Sequence, residues 1–297
     1  MRQVLWVLVA LVGLVILLAS VTLVSEWRRN AAPDCRVGAF MYHAVVPDSA
    51  PARRFDIRHS DFVRHLDELD KAGVIVVDPQ LADTGASALA KAIGEWCSEN
   101  SRVAMITFDA ETPSFHSELS VPPLSDRGMT AAYFVVTGFL DAEGWVDRGD
   151  VEVMLANGMR VGSHSHEHPL LTRVPLEAAR ADLSRSIAEL GVINDGAVPL
   201  LALPGGRYDE GVLTRARDLG FQQVFTSDPC YLTPAVAVDR ICRMEVRGDG
   251  GPSPADFLDS PFRVSVQGWS WRWKRRVERL AGERLWGFAS GMREGNY

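Results

Sequence analysis

The sequence predicts an α/β fold in which a mostly parallel sheet, wound with helices, closes into a barrel or distorted (β/α) barrel behind an N-terminal transmembrane helix. Three observations carry this expectation. Short apolar runs alternate with helical patterns along most of the 297 residues, which is the signature of strand-helix units on a parallel sheet. Residues rich in chemistry recur directly behind those runs, as expected where sites form at the C-terminal ends of barrel strands. The chain also opens on a long uncharged segment.

That segment is residues 4–24, 21 consecutive uncharged and mostly apolar positions after Arg2. A helix of this length crosses the roughly 30 Å hydrocarbon layer of a bilayer. A cleaved signal would carry a shorter apolar core and a small-x-small cleavage site. Neither is evident, so residues 1–29 read as a single-pass signal anchor, with a cleaved signal as the alternative. Arg2 before the run and Arg28, Arg29 and Arg36 after it leave the orientation ambiguous by the positive-inside rule.

Behind a short Pro-containing linker the elements follow in order. Residues 36–42 read as a strand, 60–72 as an amphipathic helix stopped by Gly73, and 74–77 as a second strand. A helix is expected at 86–99, strands at 102–108 and 131–136, a helix at 151–157 and a short strand at 159–161. The alternation continues with a helix at 175–190, a strand at 199–203, a helix at 210–219 and a strand at 222–225. Residues 248–254 are a Gly/Pro-rich loop without the pattern of a phosphate cradle. These units make up one domain, residues 30–262.

The net charge of −7 is unevenly spread. From Arg263 onward eight basic residues face three acidic ones, a local excess that sets residues 263–297 apart as a basic tail and argues against nucleic-acid binding by the main domain. The tail holds Trp269, Trp271, Trp273 and Trp286 interleaved with arginines. Trp269, Trp273, Val277, Leu280 and Phe288 share a helical face, so it reads either as an interfacial membrane helix or as a terminal helix packed on the barrel. The four cysteines lack CxxC spacing, which argues against a structural zinc cluster. They fit disulfides, Cys230 with Cys242 being the nearest pair, or buried thiols.

The chemistry concentrates in two places. His164 and His168 are four residues apart after a strand, with His166 between them, a spacing that lets the outer pair chelate one divalent ion. Hydrolysis at such an ion also needs an acidic ligand and a general base. Asp109 and Glu111 follow the 102–108 strand, flanking Ala110. If the backbone stays extended there, both carboxylates point to one face and divide the two roles. His43 ends the first strand, either beside the site or merely packed. Arg207 either binds substrate or pairs with Asp209. No G-x-S-x-G elbow or adjacent Cys-His pair offers a nucleophile.

In this order and spacing the motifs Met41-Tyr42-His43, Thr107-Phe108-Asp109, Gly162-Ser163-His164 through His168-Pro169, Leu203-Pro204-Gly205-Gly206-Arg207-Tyr208-Asp209 and Arg243-Met244-Glu245-Val246 resemble the polysaccharide deacetylase family, the NodB-homology carbohydrate esterases. The resemblance spans Met41 to Phe257. It implies a distorted (β/α) barrel and removal of N- or O-acetyl groups from amino-sugar polymers with zinc or a similar divalent metal. It also implies a domain outside the cytoplasm at the cell membrane. Carried over by position, Asp109 is the general base, His164 and His168 are metal ligands, and the backbone N–H of Gly205 serves the oxyanion. The family's second Asp is Ala110 here, leaving Glu111 to act as ligand or base. The Arg that commonly opens the third motif is Ala202, and no histidine follows His168 to act as the acid, for which Asp228 is the candidate. The alternative function is a catalytically impaired, glycan-binding relative that supports envelope polysaccharide assembly.

Overall fold

The computed structural model describes residues 19–25, 27, 35–50, 53–81, 87–110, 117–194, 196–233, 240–248 and 250–281. Its centre is an eight-stranded parallel sheet. β1 (Arg36–Tyr42) pairs with β5 (Arg102–Ala110) over seven residues, from Arg36 opposite Arg102 to Tyr42 opposite Phe108. From β5 the sheet continues through β6 (Ala131–Val135), β7 (Arg160–Ser163), β8 (Leu200–Ala202) and β9 (Gln223–Phe225). β4 (Ile75–Val76) also pairs β5, and β10 (Met244–Glu245) pairs the outer edge of β1. A separate parallel pair, β2 (Val45–Val46) with β3 (Ile57–Arg58), lies outside the main sheet.

The helices are α1 (His59–Lys71), α2 (Ala88–Glu99), α3 (Ser117–Ser125), α4 (Arg148–Ala156), α5 (Leu176–Ile193), α6 (Glu210–Asp218), α7 (Pro254–Asp259) and α8 (Pro261–Ala281). The expected alternation is therefore present, with boundaries moved by a few residues. α3 departs from expectation because Pro122 and Pro123 lie inside it. Each proline removes a helical hydrogen bond, and burial of Val121, Pro123 and Leu124 offsets the loss. α4 and α7 start on capping boxes, Asp147 with Asp150 and Ser253 with Asp256, which satisfy the first backbone N–H groups.

β5 explains how one strand serves both the core and the site. After its first residue every position is buried, as in a parallel strand covered on both faces. Side chains alternate, so Ala104, Ile106, Phe108 and Ala110 enter the larger cluster with Phe62, Leu66 and Tyr133 beneath the helices. Val103 and Met105 enter a second cluster with Ala39, Phe134, Leu200 and Phe225, inside the curl of the sheet. Thr107 and Asp109 continue that inner column toward the C-terminal end. Gly162 on β7 has no room for a side chain, because a Cβ there would stand 2.8 Å from the Cβ of Leu200 and 2.9 Å from Phe134.

The two edges of the sheet meet at the segment 241–246. Ile241 bridges Phe225 of β9, donating to Val224 O at 2.7 Å and accepting from Thr226 N at 2.9 Å. Three residues later Met244–Glu245 pairs with β1, and Val246 N donates to Met41 O at 2.9 Å. Disulfides Cys35–Cys97 and Cys230–Cys242 use all four cysteines, resolving the alternative between cystines and thiols.

Among the described residues no helix is long and apolar enough to cross a membrane. Residues 1–18, which hold most of the expected span, lie outside the described residues, and 19–25 are helical. In the tail, α8 begins at Pro261 and buries Val264 and Ser265, so its first turns are packed on the domain, while residues 282–297 lie outside the described residues.

Candidate active site

Asp109, at the end of β5, is 4% exposed and faces Arg243, whose guanidinium is fully buried. Arg243 Nη1 donates to Asp109 Oδ1 at 2.6 Å and Nη2 to Oδ2 at 2.8 Å, a bidentate pair across the inside of the curl. Arg243 Nε donates to the carbonyl of Thr226 at 2.9 Å, and the guanidinium lies 5.5 Å from the ring centroid of Phe134. Burial pushes the Asp109 carboxyl up, but Arg243, with His164 and His43, outweighs it and holds the carboxyl below its ordinary value of 3.8. Asp109 is thus kept ionised despite its burial.

His164 continues β7, its backbone N donating to Val135 O at 2.8 Å. Its Nδ1 is 2.9 Å from the carbonyl of Ala202, which can only accept, so Nδ1 carries the proton and Nε2 presents a lone pair. That Nε2 is 3.9 Å from Asp109 Oδ2 and 3.3 Å from Nε2 of His168. Ala202, standing where the family's third motif commonly has Arg, therefore contributes its backbone carbonyl, and Arg243 supplies a guanidinium from 41 residues further along the chain.

The loop that delivers His168 is unusual, with Ser165 at φ 68° and His168 at φ 55°, both left-handed. Its own polar groups hold it. Ser163 Oγ accepts from Ser165 N at 3.0 Å, and Ser165 Oγ from His168 N at 3.0 Å. Asp182 of α5 accepts from the backbone N–H groups of His166 and Glu167, one to each carboxylate oxygen at 2.9 Å. His166 turns away from the pair, with Nδ1 3.0 Å from Thr137 Oγ1 and 3.5 Å from Glu189. Gly138 fits under this loop only as glycine, since a Cβ would lie 2.5 Å from His166 O.

The other expected residues gather around the same end of the sheet to different degrees. His43 is buried, its ring centroid 4.9 Å from that of Phe55, and close enough to Asp109 to lower its pKa. Gly205 sits at the exposed apex of a 3-10 turn at φ 60°, while Gly206 behind it spends its N–H on Leu203 O at 2.7 Å. Gly206 backs onto Ser227, which a Cβ would overlap. Arg207 is half-buried. Asp228 accepts from the hydroxyl of Tyr208 at 2.5 Å, and burial raises its carboxyl above the ordinary value despite that bond and nearby Arg275 and Arg240. Glu111 lies outside the described residues. Ala110, where the family's second Asp would stand, is buried toward the helices, on the opposite face of β5 from Asp109.

A separation of 3.3 Å between two imidazole nitrogens fits two corners of a tetrahedral ion whose metal–nitrogen bonds are about 2.0–2.1 Å. Among the described residues no group of three or more His, Cys, Asp or Glu side chains forms a complete metal site. The donor set thus fits an ion held by two histidines with the remaining positions open to residues or water not described.

The curled parallel sheet carries two imidazoles and an ionised carboxylate at its C-terminal end. Residues 98–224 match the family model for polysaccharide deacetylase. The chain is 20% identical over 205 residues, 69% of each chain, to the Bacillus subtilis protein YxkH, itself only inferred to be a polysaccharide deacetylase. Among solved structures it superposes on IcaB from Ammonifex degensii with a TM-score of 0.64 and 24% identity, covering 76% of this chain and 98% of that one. It superposes on the Streptococcus pyogenes deacetylase PplD, solved with acetate, with a TM-score of 0.62 and 20% identity, covering 75% and 97%. At these identities the structures establish the shared fold.

Proposed function

We propose that the chain is a membrane-anchored hydrolase that removes acetyl or similar acyl groups from an amino-sugar-containing polysaccharide or glycan outside the cytoplasm. The observation that carries the proposal is the meeting of two imidazole Nε2 atoms, 3.3 Å apart, with a buried carboxylate held ionised by Arg243. His164 and His168 would hold the ion, which when bound polarises the acyl carbonyl and makes water a nucleophile near neutral pH. Asp109 accepts the proton of the attacking water, its Oδ2 standing 3.9 Å from His164 Nε2. The Gly205 N–H stabilises the oxyanion, and Arg207 and His43 orient the sugar. Asp228, whose carboxyl burial raises above its ordinary value, is the group assigned to protonate the leaving amine. Glu111 completes the ligand set or shares the base role. Two disulfides, which form in oxidising compartments, support an extracytoplasmic domain, and the uncharged run 4–24 supports the anchor.

The buried, non-ligating Ala110 favours a second reading, a relative that binds glycan without turnover. Acetate release from N-acetylated oligosaccharides, measured beside bound zinc, separates the two. The deacetylase reading expects near-stoichiometric zinc lost in H168A and acetate release abolished in D109N with zinc retained. A wild-type chain that binds oligosaccharide but takes up no zinc and releases no acetate is the glycan-binding relative.

A further inference from the structure

We infer that α8 is a lipid-binding element, its exposed face lying in the headgroup layer of an anionic bilayer beside the N-terminal segment. The inference rests on the proposed anchor and adds a second, sequence-distant contact with the same membrane.

α8 is joined at one face to the catalytic domain and at another to the start of the chain. Gln267 Nε2 donates to Glu245 O at 2.9 Å and its Oε1 accepts from Glu245 N at 3.2 Å, fastening the helix to the β10 edge. Trp269 Nε1 donates to Thr22 Oγ1 at 2.9 Å, fastening it to the helical residues 19–25, the last turns of the uncharged run. Trp269 also stacks on Trp273, with centroids 6.2 Å apart and planes at 12°.

Beside this junction α8 exposes Phe262, Val266 and Trp273. On a helix turning about 100° per residue these three lie within about 40° of one another, a single apolar stripe. Arg263, Lys274 and Arg276, all exposed, border it. Val21, Val24 and Trp27 expose further apolar surface on the N-terminal segment. Apolar and aromatic side chains rimmed by basic ones are the composition of a helix lying in a headgroup layer, and the basic rim matches anionic lipid. The hydrogen bond to Thr22 sets the depth, because Thr22 stands two residues before the end of the uncharged run, where tryptophans concentrate at a membrane boundary.

With all four cysteines in disulfides, a single added cysteine can carry an environment-sensitive dye. The full chain, reconstituted in phosphatidylglycerol-containing vesicles, would be labelled in V266C, in F262C as an independent variant, and in V192C on exposed α5 as control. An interfacial helix sits about 5–10 Å into the headgroup region, so headgroup-proximal nitroxide lipid should quench about half the emission at 266 and 262 and leave 192 unchanged. Charge reversal in K274E/R276E should reduce that quenching. Labels at 262 and 266 that stay unquenched on chain that floats with vesicles would overturn the α8 contact and leave the anchor standing. A blue-shifted but unquenched label would overturn it in favour of contact between copies of the chain. Chain that fails to float would overturn the anchor and this contact together.

Discussion

Replacing Arg243 with methionine would strand the Asp109 carboxylate inside the protein. The wild-type guanidinium is fully buried, donates to both carboxylate oxygens at 2.6 and 2.8 Å, and satisfies the carbonyl of Thr226 at 2.9 Å. Methionine fills similar space but leaves the charge and the carbonyl without their donor. Removing one member of a buried ion pair costs about 3–5 kcal/mol, whereas neutralising both is often close to neutral. R243M should therefore lose about 3–5 kcal/mol of unfolding free energy, and D109N/R243M should recover most of it. The pH dependence reverses as well. In the wild type the Asp109 pKa lies below 3.8, so its stabilisation is complete above the unfolded value and is lost as pH falls through the folded one. Without Arg243 the burial effect raises the folded pKa, and stability then falls as pH rises from the unfolded value through the raised one. Guanidinium unfolding of the four chains of this cycle between pH 3 and pH 7, about the span in which carboxylates titrate, measures both effects. A loss under about 1 kcal/mol in R243M, or a double variant no more stable than R243M, would refute the assignment.

Other perturbations test separate parts of the molecule. D182A removes the acceptor for two backbone N–H groups of the His168 loop, and zinc affinity should fall about 10–100-fold by calorimetric titration, as for other supports of metal-binding side chains. Unchanged affinity would show that the loop holds its shape without Asp182. His65 is buried on α1 with its pKa lowered from 6.5 to about 4, first by burial and then by Arg64. The unfolded chain binds the extra proton between those values, so acidification from pH 6.5 to 4 should cost up to about 3 kcal/mol that H65Q does not lose. C35S/C97S opens a crosslink spanning 62 residues and should lower stability by about 4 kcal/mol in the chain-entropy picture, read from denaturation midpoints.

Where sequence and structure agree, the information is local. The strand at 36–42 was readable to the residue and the helix at 60–72 to within one, because apolar periodicity and Gly73 mark them. β10 is too short to show a period and becomes a strand only by lying against β1. α3 was hidden by Pro122 and Pro123, whose local penalty is outweighed by burial that emerges only in the folded chain. In the site, His164 and His168 meet and His166 turns away, but through left-handed backbone at Ser165 and His168 rather than the helical turn on which the four-residue spacing was read. Arg243 was visible as part of a motif but not as the partner of Asp109, since 134 residues separate them. Asp182 carried no signal beyond an acidic residue on an amphipathic helix. The extended backbone expected to align Asp109 with Glu111 holds through Ala110, and Glu111 lies outside the described residues.

The seam at 241–246 links the chemistry of the site to the history of the chain. Arg243 follows directly on Cys242, whose disulfide partner Cys230 lies in the segment that follows β9. That bond adds a covalent tie to a segment otherwise held by short strand bridges and by the hydrogen bonds of the Arg243 guanidinium to Asp109 and Thr226. The redox state of Cys230 and Cys242 is thereby joined, through one peptide bond, to the position of the cation that holds Asp109 ionised.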